Sequence, residues 1–542
     1  MTQKGVNTLY KRIFVDQCGY LPGQSKCVTF RSEKPVSFSV VRSDGERIFQ
    51  GTASFQRENP SAGEVNYVGE FSAVTNPGLY YITVDSLGES DTFEIGPDIY
   101  ENIFQNAFSF FYLQRCGCDL PENAAAAYAH RACHTKPAII YGNNTRKDVS
   151  GGWHDAGDYG RYVVPGAMAA AQLLYAFEDN PELTAKYRSP QAADNSLPAY
   201  LEEIKYELDW MLKMQREDGQ LYHKATCHRF CGFIMPDRED EDLVLSPVSV
   251  TATADFAAVA AMAVRFYQPY DPAYADRLTE ASQKAYTALK GMELSGGFKN
   301  PPDIYTGEYG DPCDIDERYW AAAELYKTFG NQEYREDFER LASRQILHGY
   351  GWSNMGSYGN RAYLTTEHAT DPELRDRIAR EILALADEKL QIASSDGYGV
   401  SLTSGQYVWG SNMNVANNGL HLLDAYRLLG NTKYLDVAAD QLNYLLGRNP
   451  MGLCYLTGCG TNPIKHPHHR PSGYLGKAMP GMLSGGPCSG RQDQTAASVL
   501  PENVPPAKAL VDMTGSYSTN EVAIYWNSAF VQLLANIGRA YR

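Results

Sequence analysis

A chain of 542 residues exceeds what one ordinary hydrophobic core organises and suits two or three domains, or one large domain with a small companion. Its 44% hydrophobic and 21% charged residues exclude a disordered chain. The 48 Lys and Arg against 64 Asp and Glu leave a formal net charge of −16, which repels polyanions, argues against nucleic acid or an anionic membrane as the main partner and makes a neutral substrate the easier fit. No membrane partner is expected, and the chain is expected to be a monomer.

The start, Met1 to Asn7, lacks the basic stretch and apolar run of a secretory signal, and no stretch approaches the length of a membrane span. The expected location is therefore cytoplasmic, or secreted if a leader was removed. The 11 cysteines are an odd number without a regular framework, which reads as reduced thiols, some of them metal ligands.

Residues 8–96 carry short alternating runs such as Arg12 to Asp16, Val36 to Val40 and Leu79 to Val84, separated by turn formers such as Ser43-Asp-Gly45 and Asn76-Pro-Gly78. About seven such strands in under a hundred residues predict a small all-β sandwich. It has no cluster of acid, base or nucleophile, so its expected role is to pack against and steady its neighbour. From 97 to 542 the period changes to about 3.6 and the chain reads as mainly α. Helices are predicted over 99–113, 164–177, 197–215, 249–267, 272–289, 317–329 and 332–343, then over 372–390, 414–429, 433–446 and 520–540. Helices of this length with long Gly/Pro/aromatic-rich loops suit a closed ring of helical hairpins. A solenoid would show a repeat, and none is present. The connection from Met451 to Thr519 exceeds ordinary loop lengths and is expected to build a site.

Gly151-Gly-Trp-His-Asp-Ala-Gly-Asp-Tyr-Gly160 sets Asp155 and Asp158 among glycines just before a helix. Capping that helix would account for one aspartate but not for both plus a tryptophan; two carboxylates facing one way suit acid/base chemistry. In Asp512-Met-Thr-Gly-Ser-Tyr-Ser-Thr-Asn-Glu521, Ser518 or Asn520 can cap a helix with Glu521 in its first turn, where the dipole favours a carboxylate. His466-Pro-His-His-Arg-Pro471 offers donors for sugar hydroxyls, although such clusters also bind metals or simply face solvent.

Taken together these segments resemble glycoside hydrolase family 9, the endoglucanase and cellodextrinase family. The resemblance runs over essentially all of 97–542 and implies an (α/α)6 barrel, and the preceding sandwich resembles the immunoglobulin-like module of one branch. The histidine signature is matched from Leu456-Thr457 through Gly460, Asn462, Pro467, His468 and Arg470, with Cys454 where Ser, Thr or Val is usual. The acid signature is matched by Asp512, Tyr517, Glu521, Ala523, Asn527 and Ser528, with Leu510 where an aromatic is usual. Trp409 in Tyr407 to Asn412, and the stretch Asp316 to Leu325, also look like family segments.

The resemblance implies inverting cleavage of β-1,4 bonds in cellulose-type or mixed-linkage glucans and cello-oligosaccharides. Asp158 would be the general base, Asp155 would help hold the water, and Glu521 would be the general acid. Inversion calls for about 6.5 to 9.5 Å between the two carboxyl groups, and Glu521 is expected in a drier, more carboxylate-crowded setting than Asp158. His468 and Arg470 would bind hydroxyls, with Tyr517 on the same floor. Glucan faces stack on aromatic rings, which makes Trp352 and Trp409 subsite candidates, whereas Trp210 and Trp526 lie on helical stripes and read as core.

Cys116, Cys133, His134 and His154 provide the two sulfurs and two nitrogens of a closed structural zinc site. The resemblance supports the pair and its neighbouring histidine, with Cys118 as the substitute for Cys116. Asp311, Asp314, Asp316 and Glu317 crowd oxygen ligands as calcium prefers, with Asn354 where some relatives offer an aspartate; an acidic helix start explains them equally. No catalytic cofactor is expected. Rival readings are a zinc hydrolase using the Cys/His cluster, a non-catalytic glycan-binding protein, and an exo-acting β-glucosidase- or glucosaminidase-like enzyme with the same machinery. No separate carbohydrate-binding module or dockerin-like repeat is visible, which favours soluble substrates over crystalline cellulose.

Overall fold

A computed structural model describes residues 11–143, 145–191, 197–293 and 296–542. The start of the sandwich at residues 8–10 and the segment Met1 to Asn7 lie outside them. The chain forms two compact units, one taking in residues up to Phe110 with 382–468 and 476–542, the other 111–381 with 469–475. The sandwich therefore shares a unit with the last third of the chain.

In the sandwich, β1 (Ile13–Phe14), β2 (Cys27–Arg31), β6 (Glu64–Glu70) and β5 (Phe55–Asn59) form one sheet in that order. β4 (Arg47–Ala53), β3 (Val36–Arg42), β7 (Gly78–Val84) and β8 (Gly88–Glu89) form the other, with β9 (Phe93–Ile95) on β7. Alternation decides which side chains meet: along β7, Tyr80, Ile82 and Val84 are buried and their neighbours are not. Tyr20 stands edge-on to both Phe71 and Phe93, at 5.5 and 5.4 Å, closing a dry core with Phe30, Phe38 and Val40.

The segment after β1 is stitched to the later part of its own unit. Gln17 is buried; its N–H donates to the Leu446 carbonyl at 3.0 Å and its Nε2 to the Gly452 carbonyl at 2.9 Å. Its Oε1 accepts from Asn462 N at 2.8 Å and the Thr461 hydroxyl at 3.2 Å. Cys18 lies 4.0 Å, sulfur to sulfur, from Cys454, the position where the histidine signature departs from its usual residue. Thr29 Oγ1 and Arg31 Nη2 reach the carbonyls of Gly397 and Pro450, each at 2.9 Å.

Beyond the sandwich, twelve helices of nine or more residues occur among the described residues. Eleven coincide with the predicted ones to within a few residues at most ends; the exceptions are the start of the last helix and the end of Pro372–Ser395. Gly356–Leu364 was not predicted: it is short, holds two glycines and is buried through Tyr363, so no polar face marks its period. Val250–Tyr267 corrects the expectation that nothing reaches membrane-span length. It is long and apolar enough to cross a membrane by length and composition, but 94% of it is buried inside the protein. It packs against Pro272–Lys290, Ile315–Phe329 and Val163–Asp179.

Short strands in the same unit make a small sheet that bears on the site. Its order is β11 (Arg146–Lys147), β10 (Ala138–Ile140), β15 (Val244–Leu245), β14 (Lys224–Thr226), β12 (Arg161–Tyr162). β13 (Leu221–Tyr222) pairs with β16 (Val248–Ser249) beside it.

Candidate active site

The loop from Gly151 to Gly160 is pinned before it presents any carboxylate. Gly152 has φ +77°, and a Cβ there would stand 2.7 Å from Cγ of buried Trp210, so only glycine fits. Trp153 donates its backbone N–H to Glu207 Oε2 at 2.6 Å and its indole N–H to Glu203 Oε1 at 2.9 Å. Gln114 Nε2 donates to the carbonyls of His154 and Ala156, and the Arg470 backbone N–H and Nη1 both donate to the Gly157 carbonyl. Neither aspartate caps a helix: the N-cap of Val163–Asp179 is Tyr162, with no side-chain bond.

Asp155 and Asp158 are both buried. Asp155 Oδ2 accepts the Tyr309 hydroxyl at 2.6 Å, whereas its Oδ1 is buried without a hydrogen bond. Burial, together with the Asp158 charge, pushes Asp155 well above the usual carboxylate range. Asp158 Oδ2 accepts from Gly160 N at 3.0 Å and from the Tyr162 hydroxyl at 3.4 Å. Burial pushes Asp158 up as well, and the Arg470 guanidinium pulls the other way.

Tyr309 was not singled out from the sequence. It holds φ +46°, a strained region for a tyrosine, and stands edge-on to Trp352 at 5.3 Å. Nothing in its neighbourhood distinguishes it among 38 tyrosines. Phe230, 49% exposed beneath the Arg470 guanidinium, was missed for the same reason.

In the other unit, Asp512 gathers the chain by accepting from the backbone N–H groups of Lys465 and His466 at 2.9 and 2.8 Å. His468 then runs alongside Glu521 as a parallel bridge, its N–H donating to the Asn520 carbonyl at 2.8 Å. His468 Nδ1 donates to the Thr514 carbonyl at 2.7 Å, which leaves Nε2 as the other polar atom of the ring. Tyr517 lies between His468, at 5.8 Å, and Trp409, at 5.2 Å; Trp409 is 43% exposed, so an open aromatic wall adjoins the histidine. Asp493, also missed, holds this wall from beneath by accepting from both the N–H and hydroxyl of Ser518 and from the Ser516 hydroxyl.

Glu521 corrects two expectations. It lies in extended backbone between Tyr517–Asn520 and Ile524–Ala540, not in a helix's first turn. It is also partly exposed while Asp158 is only 7% exposed, the reverse of the expected order of dryness. The physical reason is that Asp158 is covered by Tyr162 and Arg470, whereas Glu521 is fixed through its backbone, by the His468 bridge and the Gly485 N–H on its carbonyl at 2.7 Å. Trp210 and Trp526 are buried core, as expected.

Cys116, Cys133, His134 and His154 come together with donor atoms all within 4.8 Å, a group able to hold a metal ion. Cys116 Sγ lies 3.6 Å from His134 Nδ1 and 3.9 Å from Cys133 Sγ, and Cys133 Sγ lies 3.7 Å from His154 Nε2. Tetrahedral ligands at ordinary zinc bond lengths stand about 3.4 to 3.8 Å apart. His134 Nε2 meets Glu239 Oε2 at 2.9 Å, the outer carboxylate that a metal-bound imidazole takes. Burial opposes ionisation of Cys116, yet the Cys133 hydrogen bond and the charges of Arg161, His154 and His134 hold its thiol well below the ordinary value. Cys118 is outside the group.

The proposed calcium quartet is not gathered in the same way: the Cys/His set is the only such group found among the described residues. Consecutive residues at a helix start point about 100° apart. Asp314 accordingly turns to Arg318 at 2.7 Å, and Asp316 accepts the Met355 N–H at 2.6 Å. Glu317 instead shares its charge environment with Asp255, of Val250–Tyr267, and with Asp311; both carboxyls of Asp255 and Glu317 are fully buried without a hydrogen bond.

One unit carries a pair of buried aspartates, and the other a glutamate beside a histidine and an open aromatic wall; each is a residue set of the type found in carboxylate-dependent hydrolases of sugars. Residues 100–534 match the description Glycosyl hydrolase family 9, and residues 9–89 match Cellulase N-terminal ig-like domain. Endoglucanase D of Acetivibrio thermocellus is 36% identical over 97% of this chain and 83% of its own length. A cellodextrinase of Butyrivibrio fibrisolvens is 35% identical over 97% and 100%. A solved structure in complex with cellobiose-like isofagomine is 36% identical, with a TM-score of 0.92 over 97% of this chain and 100% of that one. The chain belongs to glycosyl hydrolase family 9. The fold class read from the sequence holds with it: mainly α, an (α/α)6-barrel catalytic domain preceded by a small immunoglobulin-like sandwich.

Proposed function

We propose that this glycoside hydrolase cleaves β-1,4-glucosidic bonds in soluble glucans and cello-oligosaccharides with inversion. Asp158 takes the proton of the attacking water, Asp155 orients that water, and Glu521 protonates the departing oxygen. The observation that carries the reading is the Asp155/Asp158 loop: a buried carboxylate pair in which Asp155 gives one oxygen to Tyr309 and keeps the other free of any protein donor. Burial raises both carboxyls, which suits a base whose basicity must exceed that of an exposed aspartate.

His468 and Arg470 bind sugar hydroxyls in this reading, while Trp409, Tyr517 and Trp352 offer ring surface to glucosyl faces. The names of the relatives, an endoglucanase and a cellodextrinase, support this substrate class.

Zinc is the ion that the Cys116, Cys133, His134 and His154 donor set suits best. Held by these four side chains it would have no open position, and it would supply rigidity to the 151–160 loop through His154 rather than act in hydrolysis. The same closure disfavours the zinc-hydrolase rival.

Cellohexaose hydrolysis followed by NMR tests the reaction. The first product formed is expected as the α-anomer, and a β-anomer alone overturns inversion. Absence of new reducing ends overturns catalysis and leaves a glycan-binding protein.

A further inference from the structure

We propose that Lys224 is a positioning residue for the hydrolysis, its buried ammonium fixing the wall behind Asp158 through Tyr162, Thr306 and Gly307 and holding the Asp158 carboxylate in its basic form. The inference rests on the assignment of Asp158 as the base.

Lys224 is 0% exposed, and a lysine is almost never fully buried unless it is paired. Its ammonium nevertheless donates only to neutral oxygens: Thr306 Oγ1 at 2.9 Å, the Gly307 carbonyl at 2.5 Å and the Thr306 carbonyl at 3.4 Å. Burying a positive charge with no carboxylate among its hydrogen-bond acceptors costs stability.

The strand register explains what it faces. In the β12–β14 pair, Lys224 is directly opposite Tyr162, and its Nζ stands 5.5 Å from that ring. The Tyr162 hydroxyl is 3.4 Å from Asp158 Oδ2. Thr306 is shared with Thr226, hydroxyl to hydroxyl at 2.8 Å, so the acceptor of the ammonium is itself fixed.

The other charged groups around Lys224 are few. Glu308 is engaged by Lys299 and by the Asn300 N–H. His223, its chain neighbour, is buried and neutral, bonded to Ser249 and the Glu308 carbonyl. Arg161, on β12, spends its Nη1 on the carbonyls of Val149 and Gly151. The interacting anions are therefore Asp158 and Glu308, and against their pull burial still lowers the ammonium to about 7. Asp158 is pushed up by burial and by the Glu239 charge and pulled down by the Arg470 guanidinium; Lys224 is a second cation, on the Tyr162 side of the carboxylate, and a cation there favours the ionised form.

The pH profile of kcat/KM on cellohexaose tests this in Lys224→Met and Lys224→Arg. Met is expected to move the acid limb up by about one pH unit and to lower kcat with KM within about twofold; Arg, which keeps the charge, is expected to leave the limb in place. A folded Lys224→Met enzyme with the limb unmoved overturns the proposal. Should that variant fail to fold, Thr306→Val decides, because it removes an acceptor without adding charge. A loss of about three- to tenfold in kcat with KM unchanged is expected, and a wild-type kcat overturns the proposal. Asp158→Asn assayed alongside separates the two readings: residual turnover there defeats the base assignment itself.

Discussion

At Asp155 the two carboxylate oxygens have different fates: Oδ2 takes the Tyr309 hydroxyl and Oδ1 takes nothing from the protein. Removing that hydroxyl in Tyr309→Phe leaves the carboxylate buried and its rotation unrestrained. A fall in kcat of about 10- to 100-fold with little change in KM is expected, measured on a soluble cello-oligosaccharide. Asp158→Asn and Glu521→Gln are expected to lower kcat by more than about 10³-fold while circular dichroism and the urea midpoint stay near wild type. Substantial turnover in either contradicts the roles given to them.

At the scale of elements, two loops are stiffened by devices other than secondary structure. The first is the Cys/His group, whose last member, His154, adjoins Asp155. Elemental analysis is expected to find about one zinc per chain. Cys133→Ser or prolonged chelation is expected to lower the melting temperature by about 5 °C or more and to reduce activity through loop disorder. Metal loss without any change in melting temperature contradicts a structural role. The second is the histidine-signature loop, held by Gln17 from the sandwich side of its unit through Gly452, Thr461 and Asn462. Gln17→Leu removes three side-chain hydrogen bonds made by a buried residue, and a destabilisation of about 1 to 3 kcal/mol is expected from urea unfolding.

For the whole molecule, pH dependence of stability follows from groups kept neutral by burial. His223 is sandwiched at 3.8 Å on Phe298 and bonded on both ring nitrogens; burial lowers its pKa from 6.5 to about 3. Between those values the unfolded chain binds the proton and the folded one does not. This contribution is complete above about pH 6.5 and is lost as pH falls toward 3, by about 1.4 kcal/mol per unit. Urea unfolding at about pH 7 and pH 5 is expected to differ by about 2 kcal/mol from this group, and His223→Gln is expected to remove that part of the difference.

The sequence by itself determined the order of sandwich and helices, most of the long helices, the Cys/His quartet and the segments bearing Asp155, Asp158 and Glu521. Those features are written in local periodicity, glycine placement and short spacings, which neighbours along the chain impose on one another. Only the tertiary structure decided that Tyr309 reaches Asp155, that Asp255 rather than Asp314 joins Glu317, that Glu521 is wetter than Asp158, and that Lys224 stands across from Tyr162. Each of these depends on residues far apart in sequence or on the exposure left after packing. Burial and partnership are set by which surfaces meet, and no local pattern encodes that.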